Sequence, residues 1–332
     1  QIETVILPPT LKAIRGHAFY NTGVSDLILP DSLREITGSY NFYNCDSLRS
    51  IVIPDSVKSL PSYCFSNSNN LEAVQLPCKL SSMGSYCFQS CNLLSLSVPG
   101  TLYTIPYCAF SSNANLAQVE LKEGVGMIDS YAFSSCSSLP QIIFPSSLRR
   151  ISTAAFQYDY ALASVSFNEG LEEIGDVAFY NCSSLTHIVL PSSLQFCLGS
   201  PFQSCNNITR IDSYALIPPT VRANLPTYYA RNIELYVPLW SYQEYMTTPG
   251  WLEYQDHTKI NYDILPENIV INKEFEFLLD EKNNVQGYTP NIRLLYNSES
   301  IDDGFGHTKY ERGNLTVSSW SKLAVGDFSM YV

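Results

Sequence analysis

The sequence predicts a repeat solenoid, and three observations carry that prediction. One phenylalanine recurs as Phe19, Phe42, Phe65, Phe88, Phe110, Phe133, Phe156, Phe179 and Phe202, in steps of 22 or 23 residues. A second landmark precedes it, as Pro8, Pro30, Pro54, Pro77, Pro99, Lys122, Pro145, Asn168 and Pro191. Between the two, aliphatic residues hold a constant phase. The Leu148 position is filled elsewhere by Leu11, Leu33, Val57, Leu80, Leu102, Val125, Leu171 and Leu194. Self-similarity at this period marks stacked units, none of which can bury its own apolar face alone.

Each element of a unit follows from its residues, with 139–162 as the specimen. Around residue 143 the alternation has period two. It predicts a short strand with Ile142 and Phe144 inward and Ile143 outward. Pro145 ends the strand, because it has no N–H to give to a ladder. Leu148 and Ile151 drive a second inward-facing stretch. Ala155 is small enough for the chain to pass closely while Phe156 fills the interior, and Leu162 leads into the next strand. Units stacked about 4.8 Å apart form a curved right-handed coil with a parallel sheet on one face.

These residues resemble a known family. The runs Ile188-Val189-Leu190-Pro191-Ser192-Ser193-Leu194 and Ile174-Gly175-Asp176-Val177-Ala178-Phe179-Tyr180-Asn181-Cys182-Ser183-Ser184-Leu185 are similar to the BspA-type leucine-rich repeat of bacterial surface proteins. The resemblance covers residues 2 to about 260. It implies a leucine-rich-repeat coil that binds a host or bacterial protein at the cell surface. The chain departs from the commoner eukaryotic repeat, because proline stands where that repeat has a ladder asparagine.

Three segments are expected: the solenoid over 1–212, a degenerate last repeat with a capping helix over 213–262, and a small antiparallel β module over 263–332. In the second, Ile233 to Pro238 reads as a last strand, and Ser241 with Glu244 three residues on reads as a capping box. Trp240 and Trp251 are expected to fill core there. In the third, short apolar runs alternate with turn signals at Asn283-Asn284, Asp302-Asp303-Gly304 and Arg312-Gly313. The chain opens already inside a strand pattern, at Ile2, Val5 and Leu7. The expectation is that further sequence precedes it, with a signal peptide or lipoprotein anchor.

Ten cysteines invite a disulfide reading, but their phase argues against it. Cys45, Cys91, Cys136, Cys182 and Cys205 all lie three residues after the landmark phenylalanine, where other copies carry Thr22, Ser68, Asn113 and Asp159. Cys64 and Cys87 fill the small-residue site just before it. Such sites want small, buried, hydrogen-bonding side chains, so free thiols are expected. No CxxC pair is present to hold zinc.

Composition narrows the function. The net charge is −12 and no Lys/Arg cluster is visible, which disfavours nucleic acid and anionic membrane surfaces. Only 15% of residues are charged while 23 are tyrosine, which gives a neutral, hydroxyl-rich surface. No run of 18 apolar residues spans a membrane. The histidines His17, His187, His257 and His307 share no motif, and Asp302-Asp303-Gly304 beside His307 lacks calcium-loop spacing. Neither GxSxG, a phosphate loop nor HExxH occurs. The expectation is a non-enzymatic protein, with no catalytic residue, metal or cofactor.

Two outward columns remain as candidate binding surfaces. One runs along the strands as Ile6, Ile28, Val52, Gln75, Ser97, Glu120, Ile143, Ser166, Val189 and Asp212. Apolar residues on a solvated strand mark a contact patch. The other stands two residues before the landmark phenylalanine, as Tyr40, Tyr63, Tyr86 and Tyr131, with His17 in the first copy. Stacked amphipathic rings form a rigid platform for protein or sugar. The leading expectation is a surface adhesion protein that binds a host or bacterial protein through the outward faces. The alternatives are a glycan-binding accessory protein of a polysaccharide-using gut bacterium, and a spacer that presents the C-terminal module.

Overall fold

The computed structural model describes residues 4–222, 225 and 233–261, with the strands Ile269–Ile271, Phe277–Leu279, Val285–Tyr288, Arg293–Tyr296 and Leu315–Thr316. The chain divides into two compact units. The first comprises Gln1–Ile208 with Thr220–Tyr229, the second Thr209–Pro219 with Ala230–Val332.

The first unit is a parallel β-solenoid. Each coil contributes one strand of the kind read from residues 139–162, such as Ser50–Val52, Ala73–Gln75, Gln141–Ile143 and Ser164–Ser166. Pairing is parallel and advances by one repeat, with Ile51 opposite Val74 and Ile142 opposite Val165. A second row was not expected as sheet. The Ile151 stretch pairs too, with Ile128, Ile151 and Ile174 in line along Met127–Ile128, Arg150–Ile151 and Glu173–Ile174. Its inward residue is buried in every copy from Ile14 to Cys197. The chain is therefore extended on both sides of the core, and each side hands its backbone hydrogen bonds to the next coil.

The core is a column of rings. Phe19 to Phe202 stack coil upon coil, with neighbouring centroids 4.8–5.6 Å apart and planes within 15° of parallel. Two residues of positive φ bracket most of these phenylalanines, such as Tyr63 (φ 57°) and Asn67 (φ 59°) around Phe65. The chain must turn sharply on both sides to aim each ring inward.

A side-chain ladder runs beside the rings, from the position three residues after each phenylalanine. Its members donate to the carbonyl of the phenylalanine one coil back. Cys45, Cys91, Cys136, Cys182 and Cys205 reach Phe19, Phe65, Phe110, Phe156 and Phe179 at 3.0–3.4 Å. Ser68 donates to Phe42 at 2.9 Å and Asn113 to Phe88 at 2.9 Å. Asp159 holds the same position and is fully buried. Its Oδ1 accepts the Cys136 N–H at 2.7 Å, while its Oδ2 has no hydrogen-bond partner.

Two coils lack the proline, and both use the same substitute. Glu123 accepts the N–H and hydroxyl of Ser146 in the next coil at 2.8 and 2.9 Å, and Glu169 does the same for Ser192 at 3.1 and 2.7 Å. These bonds hold the Glu123 carboxyl below its ordinary range, the Ser146 backbone N–H first among them. Gly124 follows at φ 110°, and a side chain there would strike the Gly100 carbonyl.

In the second unit, Arg210–Ser213, Glu234–Pro238 and Thr258–Asn261 pair in parallel. Trp251 is buried and its indole N–H donates to the Pro219 carbonyl at 2.9 Å. Tyr242, Tyr245 and Tyr254 are buried as well. The capping box does not form. A 3₁₀ turn over Leu239–Ser241 runs directly into the short helix Tyr242–Tyr245, and Ser241 Oγ donates to the Leu216 carbonyl and accepts nothing from the helix N–H groups. The Trp240 side chain lies outside the described residues. Among the later strands, Ile269–Ile271 pairs antiparallel with Arg293–Tyr296, which pairs antiparallel with Leu315–Thr316. Phe277–Leu279 pairs antiparallel with Val285–Tyr288. The turn signals at 283–284, 302–304 and 312–313 lie outside the described residues, as does His307.

Candidate binding surface

Strand alternation builds the first surface. Ile51 and Ile53 point inward and are buried, so Val52 between them points out. The same geometry exposes Ile6 by 92%, Ile28 by 85%, Val52 by 58% and Ile143 by 69%. Gln75, Ser97, Glu120 and Ser166 are exposed, and Val189 is half-buried. Register places Val52 beside Gln75, Ser97 beside Glu120, and Ile143 beside Ser166. Ser97 donates its hydroxyl to Glu120, whose carboxylate lies 4.0 Å from Lys122 Nζ. An open groove of about 610 Å³ borders the middle of the column, lined by Gln75, Leu76, Cys78, Ser97, Gly100 and Lys122 among others.

Asp212 does not belong to this exposed column. It is buried, and both its oxygens accept from the Arg210 guanidinium at 2.8 Å. The guanidinium in turn lies 4.0 Å over the Tyr236 ring, and Lys259 pairs with Glu234 beside it. Within the second unit these groups satisfy one another. The Arg210 pKa is raised chiefly by Asp212, and that of Glu234 is lowered chiefly by Lys259.

The tyrosine flank is a pile of rings and not an open platform. Tyr40 stacks on Tyr63 at 4.8 Å and Tyr63 on Tyr86 at 4.6 Å, nearly face to face, with His17 on Tyr40 at 5.4 Å. Tyr20 stacks on Tyr43 alongside them at 5.3 Å. Each of Tyr40, Tyr63, Tyr86 and Tyr131 is half-buried. Tyr107 was missed, because it stands three residues before its phenylalanine, while Cys108 holds the column's own position. It meets Tyr86 and Tyr131 edge-on at 5.2 and 5.7 Å and so bridges the gap in the column. Its hydroxyl, followed by loss of water, pushes the Tyr86 phenol up to about 12. Burial raises the Tyr63 phenol as well.

Against this geometry, the BspA type leucine rich repeat region matches residues 1–117 and 104–217 in six copies. The chain belongs to the BspA-type leucine-rich-repeat family. Among solved structures, this BspA-type chain is similar to a leucine-rich repeat protein from Bacteroides ovatus. The two are 21% identical over 76% of each chain, with a TM-score of 0.57. A leucine rich cell surface protein from Faecalibacterium prausnitzii is 24% identical over 61% of this chain and 63% of its own, at a TM-score of 0.42. A pneumococcal vaccine antigen is 17% identical over 70% and 73%, at 0.38. No curated protein matches the sequence. No catalytic family is indicated by these matches.

The remaining sequence candidates do not converge in the BspA-type fold. His17, His187 and His257 are exposed in three different parts of the chain. Among the described residues, no group of three His, Cys, Asp or Glu side chains is placed to hold a metal ion. Nor is any helix among them long and apolar enough to cross a membrane. All ten cysteines are free thiols, and nine are buried. Cys78 is the exposed one, at a turn where its N–H donates to Asp55 at 2.8 Å.

Proposed function

We propose that this protein is a non-enzymatic surface adhesion protein that binds a host or bacterial protein through its outward strand face. Surface display is what membership of the BspA-type family implies. The observation that carries the binding reading is the exposure of Ile6, Ile28 and Val52 on neighbouring coils, with Ile143 further along. Exposed aliphatics on adjoining coils supply apolar area that a partner can bury, and Gln75, Ser97 and Glu120 supply polar contacts beside them. A solvated strand gains little from isoleucine that threonine, also β-branched, would not supply at lower hydration cost.

A glycan platform is the weaker reading. Sugar stacking needs a free aromatic face, and Tyr40 and Tyr63 have both faces covered by neighbours. Their exposed edges carry hydroxyls and offer no stacking area.

Partner capture decides between the surfaces. A double change of Ile28→Ser and Val52→Ser should leave the melting temperature unchanged and weaken capture by tenfold or more, as loss of a buried anchor typically does. The matched control is Tyr63→Ala with Tyr86→Ala. If the control abolishes binding and the strand pair does not, the strand face is refuted. If neither matters, the solenoid is a spacer and the C-terminal module carries the contact.

A further inference from the structure

One rung of the carbonyl ladder does not fit its chemistry as ordinarily drawn. Of the eight phenylalanine carbonyls from Phe19 to Phe179, seven accept a hydrogen bond from the side chain one coil on: five thiols, one hydroxyl and one amide. All seven partners are donors. The Phe133 carbonyl should receive its bond from Asp159, and an ionised carboxylate has no hydrogen to give. Asp159 Oδ1 already accepts the Cys136 N–H, just as Ser68 Oγ accepts the Cys45 N–H while donating to Phe42. Oδ2 is left buried and without a partner.

We propose that Asp159 is a neutral carboxylic acid in the folded protein, with the proton on Oδ2 donated to the Phe133 carbonyl, so that this rung is a pH-sensitive joint of the solenoid. With that proton the orphan oxygen becomes a donor, and the eighth rung matches the other seven. Without it, a carboxylate would sit fully buried in the core with only backbone N–H groups to compensate it. The titratable groups that face it are thiols, Cys136 from the coil before and Cys182 from the coil after. Burial dominates its environment and raises its pKa well above the ordinary carboxyl value, opposed only by the backbone N–H groups of Cys136 and Ser135.

The sign follows from that direction. A folded-state pKa above the unfolded one, at about 3.9, means that the rung stabilises fully below the unfolded value. The contribution is lost as pH rises through the folded value. Between the two, the unfolding equilibrium shifts about tenfold per pH unit for one proton.

The test compares the parent with Asp159→Asn, which supplies the amide that Asn113 already uses in this ladder, and with Asp159→Ser, which copies Ser68. Melting curves are recorded between about pH 5 and 8, starting above the unfolded carboxyl value, where linkage begins to act. The expected result is a parent that loses stability relative to Asp159→Asn as pH rises, with the gap widening by up to tenfold in the unfolding constant per unit. Parallel profiles would overturn the proposal. Infrared spectroscopy gives an answer even if neither variant folds. The native parent at neutral pH should show the carbonyl stretch of a protonated carboxylic acid, and denaturation should remove it. A native spectrum without that band also overturns it.

Discussion

Replacing Phe133 by alanine tests the ring column at its middle. The Phe133 side chain is fully buried, and Phe110 and Phe156 stack on its two faces at 5.4 Å each. A phenylalanine of this kind removes about 150–250 Å² from water, about 4–6 kcal/mol at about 25 cal/mol per Å². Alanine keeps part of that, and coils fixed by two ladders cannot close the hole. The expected cost is therefore about 3–5 kcal/mol, the range for such core truncations. Nearest-neighbour coupling predicts that the loss appears first as local opening. The reporter is Cys136, whose N–H bonds to the Phe133 carbonyl at 3.2 Å and whose thiol bonds to Phe110. When opening governs labelling, 3–5 kcal/mol accelerates alkylation of Cys136 by roughly two to three and a half powers of ten. Cys205, three coils on, should accelerate far less. An unchanged melt with unchanged Cys136 labelling would refute the inward assignment. Equal acceleration of Cys136 and Cys205 would refute the one-dimensional coupling.

Two further outcomes are expected. In the native protein one thiol of ten, Cys78, should react promptly with an alkylating reagent, and the other nine should wait for denaturation; prompt labelling of Cys45 or Cys182 would contradict their burial. At Tyr63, with φ at 57°, glycine should be tolerated better than alanine by about 1 kcal/mol, because both lose the ring stack but only alanine keeps the left-handed backbone cost; the reverse order in melting curves would rule this out.

The period, the inward residues and the strand ends were legible, because each is a local statement about polarity or a missing N–H. Phe144 inward and Ile143 outward needed only alternation. The second ladder was not legible, since a two-residue strand such as Arg150–Ile151 shows no alternation to read. Its pairing comes from the next coil. Positive φ at Tyr40, Tyr63 and Tyr86 had no signal either, because tyrosine is not a turn residue and is held there by its stacked neighbours. Tyr107 escaped because it lies one residue before the column's position, which Cys108 fills. The cysteine phase was informative: sharing a site with Thr, Ser and Asn announced a donor, although the acceptor one coil back could not be named. Asp159 in that same list was the residue that broke the rule. Ser241 misled, because its cap spacing is satisfied in sequence while a preceding turn occupies the helix start.

The inward columns use up the repeat's constraints, so whatever specifies a partner must lie among outward side chains that are not already engaged. That condition removes most of the polar flank. Asn44 gives its amide to Asn21, Asn67 gives its amide to Tyr43, and the tyrosines face one another. Along the strands, Ile6 to Ile143 spans six coil steps of about 4.8 Å, about 29 Å in all. A standard interface of about 800 Å² per partner is about 30 Å across, so one protein can cover the whole column. Its centre would then meet Gln75, Ser97 and Glu120, which is the reverse of the usual apolar centre and polar rim. Under the proposed function, a partner covering this face therefore carries aliphatic or aromatic anchors at both ends, over Ile28 with Val52 and over Ile143. Between them it carries hydrogen-bond donors for Gln75 and the Glu120 carboxylate, which Lys122 compensates only from 4.0 Å at the exposed surface.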